Sequence, residues 1–204
     1  AEPLPEDKDL YLNTTANMHY ARAIAFATLG HFDEADAERE AFKLAQANIP
    51  PGTIFFQGNP CEVIFKVAEA MMNGEVEYHK SNYDLAFEQL RKALYLDDHL
   101  LYGEPWAWMM PTRHALGALL LEQAHVAEAE AVYRADLGLD GSIPRPMQHP
   151  DNVWALHGYV ACLEQLGKEV EARMMRTRLN LALARADVDI TASCFCACAH
   201  HHCH

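Results

Sequence analysis

The last eleven residues of the chain carry the densest group of metal-binding side chain types in the sequence. Four cysteines and four histidines lie within 194–204. Thiolates and imidazoles are ligands that Zn²⁺ and Cu(I) prefer, and four of them can close a tetrahedral site. The residues predicted to bind a metal are Cys194, Cys196, Cys198, His200, His202, Cys203 and His204.

The spacing in this tail leaves several interpretations open. The Cys-x-Cys pairs differ from zinc-finger spacing and are closer to metallothionein-like chelation. Disulfides within the tail are an alternative, although a ring closed between such near neighbours is strained. A terminus whose histidines have no role in the cell is the third interpretation. We expect the tail to coordinate Zn or Cu(I). In one form of this prediction, the bound metal also links subunits.

A second group of residues has the chemistry of a ligand-binding site. Trp106 and Trp108 precede a predicted helix, and Arg113 and His114 lie in its first turn. Arginine offers two parallel donors to a carboxylate, and tryptophan offers a large contact area to a peptide. His157, on a later helix, completes the predicted ligand-binding set. The alternative is that the tryptophans pack between repeats, Arg113 pairs with an acidic neighbour, and His157 is a satisfied core or surface histidine.

Known catalytic signatures do not occur in the sequence. It has no Gly-x-Gly-x-x-Gly, no P-loop, no Gly-x-Ser-x-Gly and no His-Glu-x-x-His. Cys61 lies near a predicted helix start, where a thiolate is stabilised, but no base accompanies it in the sequence. An enzyme would need a substrate bound among Trp106, Arg113 and His157. We therefore expect a protein without catalytic activity.

Helical periodicity dominates the elements that must position these residues. Three stretches rich in proline and glycine interrupt it, around 49–60, 102–105 and 141–150. Proline disrupts helix interiors and glycine favours turns, so these stretches are predicted connections. A helical repeat domain is predicted over 1–193, followed by the tail at 194–204. The four predicted helical hairpins span about 13–48, 62–97, 110–138 and 152–187.

A small residue recurs at one position in the second helix of every hairpin. These residues are Ala35, Ala86, Ala129 and Ala172, at intervals of 51, 43 and 43 residues. The first helices of the last three hairpins carry glycines at Gly74, Gly117 and Gly158. Small residues let antiparallel helices approach closely, and large apolar residues such as Leu90 and Tyr133 are expected to fill the space between them.

This small-and-large pattern resembles the tetratricopeptide repeat (TPR), most clearly in Tyr-Asp-Leu-Ala at 83–86 and Ala-Leu-Tyr-Leu-Asp at 93–97. The usual period of that repeat is about 34 residues, so the helices or connections here are extended. The resemblance implies an all-α fold, a TPR-like right-handed solenoid of about four antiparallel helical hairpins. An ordinary array of helical hairpins is the alternative.

Longer stretches are similar to the C-terminal half of a family of long, poorly characterised microbial TPR-domain proteins. The stretches that carry this resemblance are 104–113, 116–120, 129–137, 152–159 and 186–196. The family implies a fold more firmly than an activity, and residues 197–204 extend beyond its usual Cys-x-Cys end. A solenoid exposes a groove and open ends. We therefore predict protein or peptide binding, or self-association into oligomers or filaments.

The charge balance excludes some classes of partner. The 204 residues include 16 Lys and Arg against 29 Asp and Glu, a formal net charge of −13. Nucleic acids and anionic membranes attract basic surfaces, so we expect neither as a partner. No apolar run approaches the ~18 residues of a spanning helix. A chain of this length can bury a core without disulfides, which favours a cytoplasmic location, with secretion after processing left open.

Overall fold

Eight α-helices make up most of the computed structural model, which describes residues 11–194 and 196. The helices are α1 Leu12–Thr28, α2 Phe32–Ala47, α3 Cys61–His79, α4 Tyr83–Asp97, α5 Thr112–Glu122, α6 Val126–Asp136, α7 Val153–Gln165 and α8 Glu169–Leu183. The prediction of a mainly helical fold is confirmed. None of the helices in the described ranges is both long and apolar enough to cross a membrane.

The chain divides into two compact units, Ala1–Met110 and Pro111–His204. In the first unit, α1 pairs with α2 and α3 pairs with α4, and both α1 and α2 contact α3. In the second unit, α5 pairs with α6 and α7 pairs with α8, and α7 contacts both α5 and α6. Each unit therefore consists of two hairpins. A right-handed solenoid that includes all four stays a prediction.

The same three-residue turn closes each of the four hairpins. Its middle residue has a positive φ in every case: Gly30 at 78°, Ser81 at 64°, Ala124 at 62° and Gly167 at 67°. In the α5–α6 turn, His125 N–H donates to the Leu120 carbonyl over 2.9 Å and Ala124 N–H donates to the Leu121 carbonyl over 3.1 Å. This pair of bonds is the Schellman motif, which satisfies carbonyls at a helix end.

Close helix approach at glycine is visible in both units. A Cβ atom added to Gly74 would lie 2.6 Å from Leu90 Cγ, and one added to Gly117 would lie 2.5 Å from Tyr133 Cζ. A Cβ added to Gly158 would overlap the same tyrosine ring. The buried Tyr133 ring therefore occupies the space that glycines on α5 and α7 leave, as the alternation of small and large residues predicts.

One predicted connection contains two short strands that no sequence pattern predicted. Strand β1, Ile54–Phe56, pairs antiparallel with β2, Asn59–Pro60. The loop between them is Gln57-Gly58, and both residues have positive φ, 44° and 85°. Such two-residue loops match the natural twist of paired strands, and the β-branched and aromatic side chains of β1 suit an extended chain. The strands are too short for a periodic pattern to reveal them.

The turn at Ala124 predicts an unusual response to glycine. Ala124→Gly should raise the free energy of unfolding by about 0.5–1 kcal/mol, because alanine bears a steric cost in the left-handed region that glycine avoids. Ala131→Gly, at an exposed position in the middle of α6, is the matched control and should lower it by about 1 kcal/mol. Urea unfolding of both variants measures the difference. Equal destabilisation by the two glycines would contradict a left-handed Ala124.

Candidate functional site

The connection between α4 and α5 is held in place by side chains of the β-hairpin. The Asn59 amide donates to the Leu101 carbonyl over 2.9 Å and accepts from Leu101 N–H over 2.8 Å. The Gln57 amide likewise donates to the Glu104 carbonyl and accepts from Glu104 N–H, both over 2.9 Å. Each side-chain amide thus donates to the carbonyl and accepts from the N–H of one residue, as the backbone of a paired β-strand does. These four bonds fix the backbone at the beginning of the connection.

Trp108 fixes the other end of the same connection. Its indole is buried, and Nε1–H donates to the Met71 sulfur on α3 over 3.0 Å. The ring also meets Tyr20 on α1 edge to face, with 5.4 Å between the ring centroids. The Tyr20 hydroxyl donates to the Met110 sulfur over 3.7 Å. The connection is therefore attached to the β-hairpin at one end and to the core of the first unit at the other.

Large apolar side chains point to solvent from this attached segment. We call these five residues the 101–110 patch, and each is between 41% and 70% exposed: Leu101, Tyr102, Trp106, Met109 and Met110. Single exposed apolar residues are ordinary on soluble proteins, whereas a concentration of them marks a surface that contacts another molecule. Methionine and aromatic residues are also enriched where proteins meet. The 101–110 patch therefore has the composition of a binding surface.

Glu75 lies on α3, one turn beyond the Met71 that contacts Trp108. It is buried, and no hydrogen bond or ion pair joins its carboxyl group to any residue within the described ranges. Burial raises the pKa of Glu75 to about 7, because a carboxylate loses its hydration there. Burial, with a smaller contribution from the Glu75 charge, also raises the pKa of Tyr20 well above its ordinary value.

The five predicted ligand-binding residues are divided between the two units. Trp106 and Trp108 belong to the first unit, where only Trp106 faces solvent. Arg113 and His114 are buried in the first turn of α5 in the second unit. His157 lies half-buried on α7, and burial lowers its pKa. Of this predicted set, Trp106 is the exposed residue, at 41%.

His114 lies in a cluster that no sequence motif predicted. Its Nε2 lies 2.9 Å from Oδ2 of Asp136, the last residue of α6, and His149 Nδ1 lies 2.7 Å from Oδ1 of the same carboxylate. Asp136 is fully buried. Burial acts to raise the pKa of Asp136, but hydrogen bonds and charge from the two histidines outweigh this effect and hold it below its usual range.

The three residues of this cluster are brought together by the tertiary fold. The three residues lie 22 and 13 positions apart, so no local motif joins them. A tight hairpin brings the beginning of its first helix beside the end of its second, and His149 follows in the connection to α7. The predicted helix boundaries, which place His114 and Asp136 at adjacent ends of one hairpin, are the feature from which that pair could have been proposed.

The tail is described only at its beginning. The sulfurs of Cys194 and Cys196 are at disulfide distance, and the remaining predicted metal ligands lie outside the described residues. Its metal role stays a prediction. The other two cysteines are buried thiols, and burial raises the pKa of Cys61 and raises that of Cys162 to about 12. Both are therefore protonated at neutral pH, as expected of structural cysteines.

No known family model, curated protein or solved structure matches the chain. The resemblance to tetratricopeptide repeats stays a prediction, carried most clearly by residues 83–86 and 93–97.

The buried Glu75 carboxyl group predicts a stability that falls as pH rises. Between pH 4.5 and about 7, the folded chain retains a proton at Glu75 that the unfolded chain has released. The free energy of unfolding therefore decreases across this window by about 3 kcal/mol from this group alone. Glu75→Gln removes the titrating group and so removes this decrease. The free energy of unfolding of the variant, measured relative to that of the native sequence, should therefore rise by about 3 kcal/mol from roughly pH 4 to pH 8.

Urea unfolding at several pH values measures this gain. The matched control is Glu88→Gln, which alters an exposed glutamate on α4 and should leave the pH dependence as it is. Parallel stability curves for the native chain and Glu75→Gln would contradict a titrating Glu75 in the core.

Proposed function

We propose that the chain is a non-catalytic helical-hairpin protein that binds a segment of a partner protein through the 101–110 patch. One observation carries the proposal: large apolar side chains are exposed on a segment whose backbone is attached at both ends. A surface that is already ordered loses little conformational entropy when a partner binds. The hydrogen bonds of Gln57 and Asn59 and the burial of Trp108 supply that order.

The size of the patch determines what kind of partner fits it. Full burial of one large apolar side chain contributes about 1.5–3 kcal/mol. Two anchors such as Trp106 and Met109 therefore supply about 3–6 kcal/mol, which is less than the ~8 kcal/mol of a micromolar complex. A ligand that contacts only one or two of these side chains would therefore bind more weakly than a micromolar complex. The partner must be a peptide segment that contacts most of the 101–110 patch at once.

Charge favours a basic partner segment. The chain has a formal net charge of −13, and Asp97, Asp98 and Glu104 lie in or next to the patch in sequence. Complementary charge accelerates association and disfavours acidic competitors. We therefore infer a partner with an aromatic or aliphatic anchor beside lysine or arginine. A second copy of the chain is the other form of the proposal, in which the patch contacts another subunit and builds the predicted oligomer.

Peptide selection against the full chain tests this function. Peptides selected from a random display library should combine an aromatic or leucine anchor with lysine or arginine. Trp106→Ala and Met109→Ser should each weaken their binding by about tenfold or more, since each removes more than about 1.4 kcal/mol of apolar contact. Calorimetry or fluorescence anisotropy with the selected peptides measures the loss.

Met174→Ser is the matched control, because Met174 is 63% exposed on α8, outside the patch. It should leave peptide binding unchanged. Sedimentation at rising protein concentration checks the second form: self-association that Met109→Ser abolishes and Met174→Ser does not would identify a second copy as the partner. Peptide binding and assembly that are both indifferent to Trp106→Ala and Met109→Ser would exclude the patch.

A further inference from the structure

Asp136 is a buried carboxylate whose two oxygens both face imidazole rings. Oδ2 meets His114 Nε2 and Oδ1 meets His149 Nδ1, and the structure shows no lysine or arginine paired with Asp136 among the residues it describes. Buried carboxylates usually bind a strong cation, either a basic side chain or a metal ion. This carboxylate instead has two side chains that are themselves metal ligands.

The cluster has the dimensions of a metal site. The ligand atoms of His114, Asp136 and His149 all lie within 4.8 Å of one another. They come from three separate segments, namely the first turn of α5, the end of α6 and the connection before α7. A further bond, from His149 N–H to the Asp136 carbonyl over 2.6 Å, fixes the backbone of His149 beside the helix end. Helix ends and a backbone contact thus hold the three groups together before any ion binds.

We propose that His114, Asp136 and His149 bind a divalent first-row transition-metal ion such as Zn²⁺ or Fe²⁺. Imidazole suits these ions, and two histidines with one carboxylate are a known ligand set for them. The harder ions Mg²⁺ and Ca²⁺ favour sites built of oxygen ligands and fit this cluster poorly.

Binding requires the three side chains to rearrange, because their ligand atoms now lie at hydrogen-bond distances or up to 4.8 Å apart. Metal–ligand bonds of about 2.0–2.1 Å place tetrahedral ligands about 3.3 Å apart. The present separations of 2.9 and 2.7 Å are hydrogen-bond distances, so each pair must open by about half an ångström. The ion would take the place of the N–H protons at His114 Nε2 and His149 Nδ1. A neutral imidazole then carries its proton on the other ring nitrogen, and an imidazolium also releases one proton to solvent on binding.

Three protein ligands leave at least one coordination position open. The side chain of His149 is 11% exposed, whereas that of Asp136 is fully buried, so the cluster approaches solvent at His149. A bound ion would also connect the two hairpins of the second unit, because His114 and Asp136 belong to the first hairpin and His149 precedes the second. The site is distinct from the predicted cysteine and histidine ligands of the tail.

Zinc binding by the full chain tests the proposal, once the tail is prevented from competing. In a tail-substituted chain, the cysteines of 194–204 become serine and the histidines become alanine. This chain should bind one equivalent of Zn²⁺ in calorimetry and retain it through dialysis. His149→Gln in the same background should weaken binding by at least about tenfold, since even changes to groups behind the ligands cost about 10–100-fold. His125→Gln, at an exposed position on the α5–α6 turn, is the matched control and should bind as before.

Two further measurements keep the outcome decisive if His149→Gln folds poorly. Zn²⁺ should raise the Tm of the tail-substituted chain, because the ion binds the folded state. Co²⁺ should give a visible absorption spectrum without the near-ultraviolet band that thiolate ligands produce. A tail-substituted chain that binds neither ion would overturn the proposal, as would equal binding by a folded His149→Gln variant.

Discussion

Close contact between glycine and a large side chain is the constraint on which the packing of the helices depends. Tyr133 occupies space that Gly117 and Gly158 leave open, and Leu90 does the same at Gly74. A methyl group at any of these glycines would collide with the facing side chain, so the helices can lie this close only where no side chain intervenes. The hairpins are consequently dense, and water has little access to groups on their inner faces. Polar groups on those faces need partners within the fold.

Of two buried carboxyl groups, one has such partners, and burial favours the neutral form of the other. Asp136 lies between His114 and His149, which stabilise its charge and lower its pKa despite burial. Glu75 has no such pair within the described ranges, and burial raises its pKa to about 7. The first arrangement is suited to holding a cation, whereas the second favours a neutral acid in the core. Outside the dense core, polar amide contacts attach the 101–110 patch and leave its apolar side chains to solvent. The compact ligand set in the second unit thus lies between closely packed helices, whereas the 101–110 patch depends on amide hydrogen bonds and on the burial of Trp108.

Sequence patterns predicted the helices far better than the chemistry between them. Proline, glycine and apolar periodicity locate the helices to within a few residues, and the alanine and glycine intervals anticipate the recurring turn and the close contacts. The same patterns do not distinguish Glu75 from an exposed glutamate of an amphipathic helix. Its burial depends on which neighbouring residues pack over it, and the sequence pattern does not show those contacts. The sequence does not distinguish Trp106 from Trp108, yet the structure buries only Trp108. Residues in a connection do not follow a helical or strand periodicity, so the sequence cannot predict which of the two side chains faces the core. The pairing of His114 with Asp136 follows from tertiary contact between the two ends of a hairpin, which no local spacing encodes.

Hydrogen–deuterium exchange of the full chain, with and without the tightest of the selected peptides, tests most directly whether the 101–110 patch is the binding surface. Amides within 101–110 should exchange more slowly when the peptide is bound, because the segment and its ligand exclude water together. Exchange in α8, where Met174 and other apolar side chains are also exposed, should stay as it is in the free protein. Protection of α8 with unchanged exchange across 101–110 would contradict the proposed function.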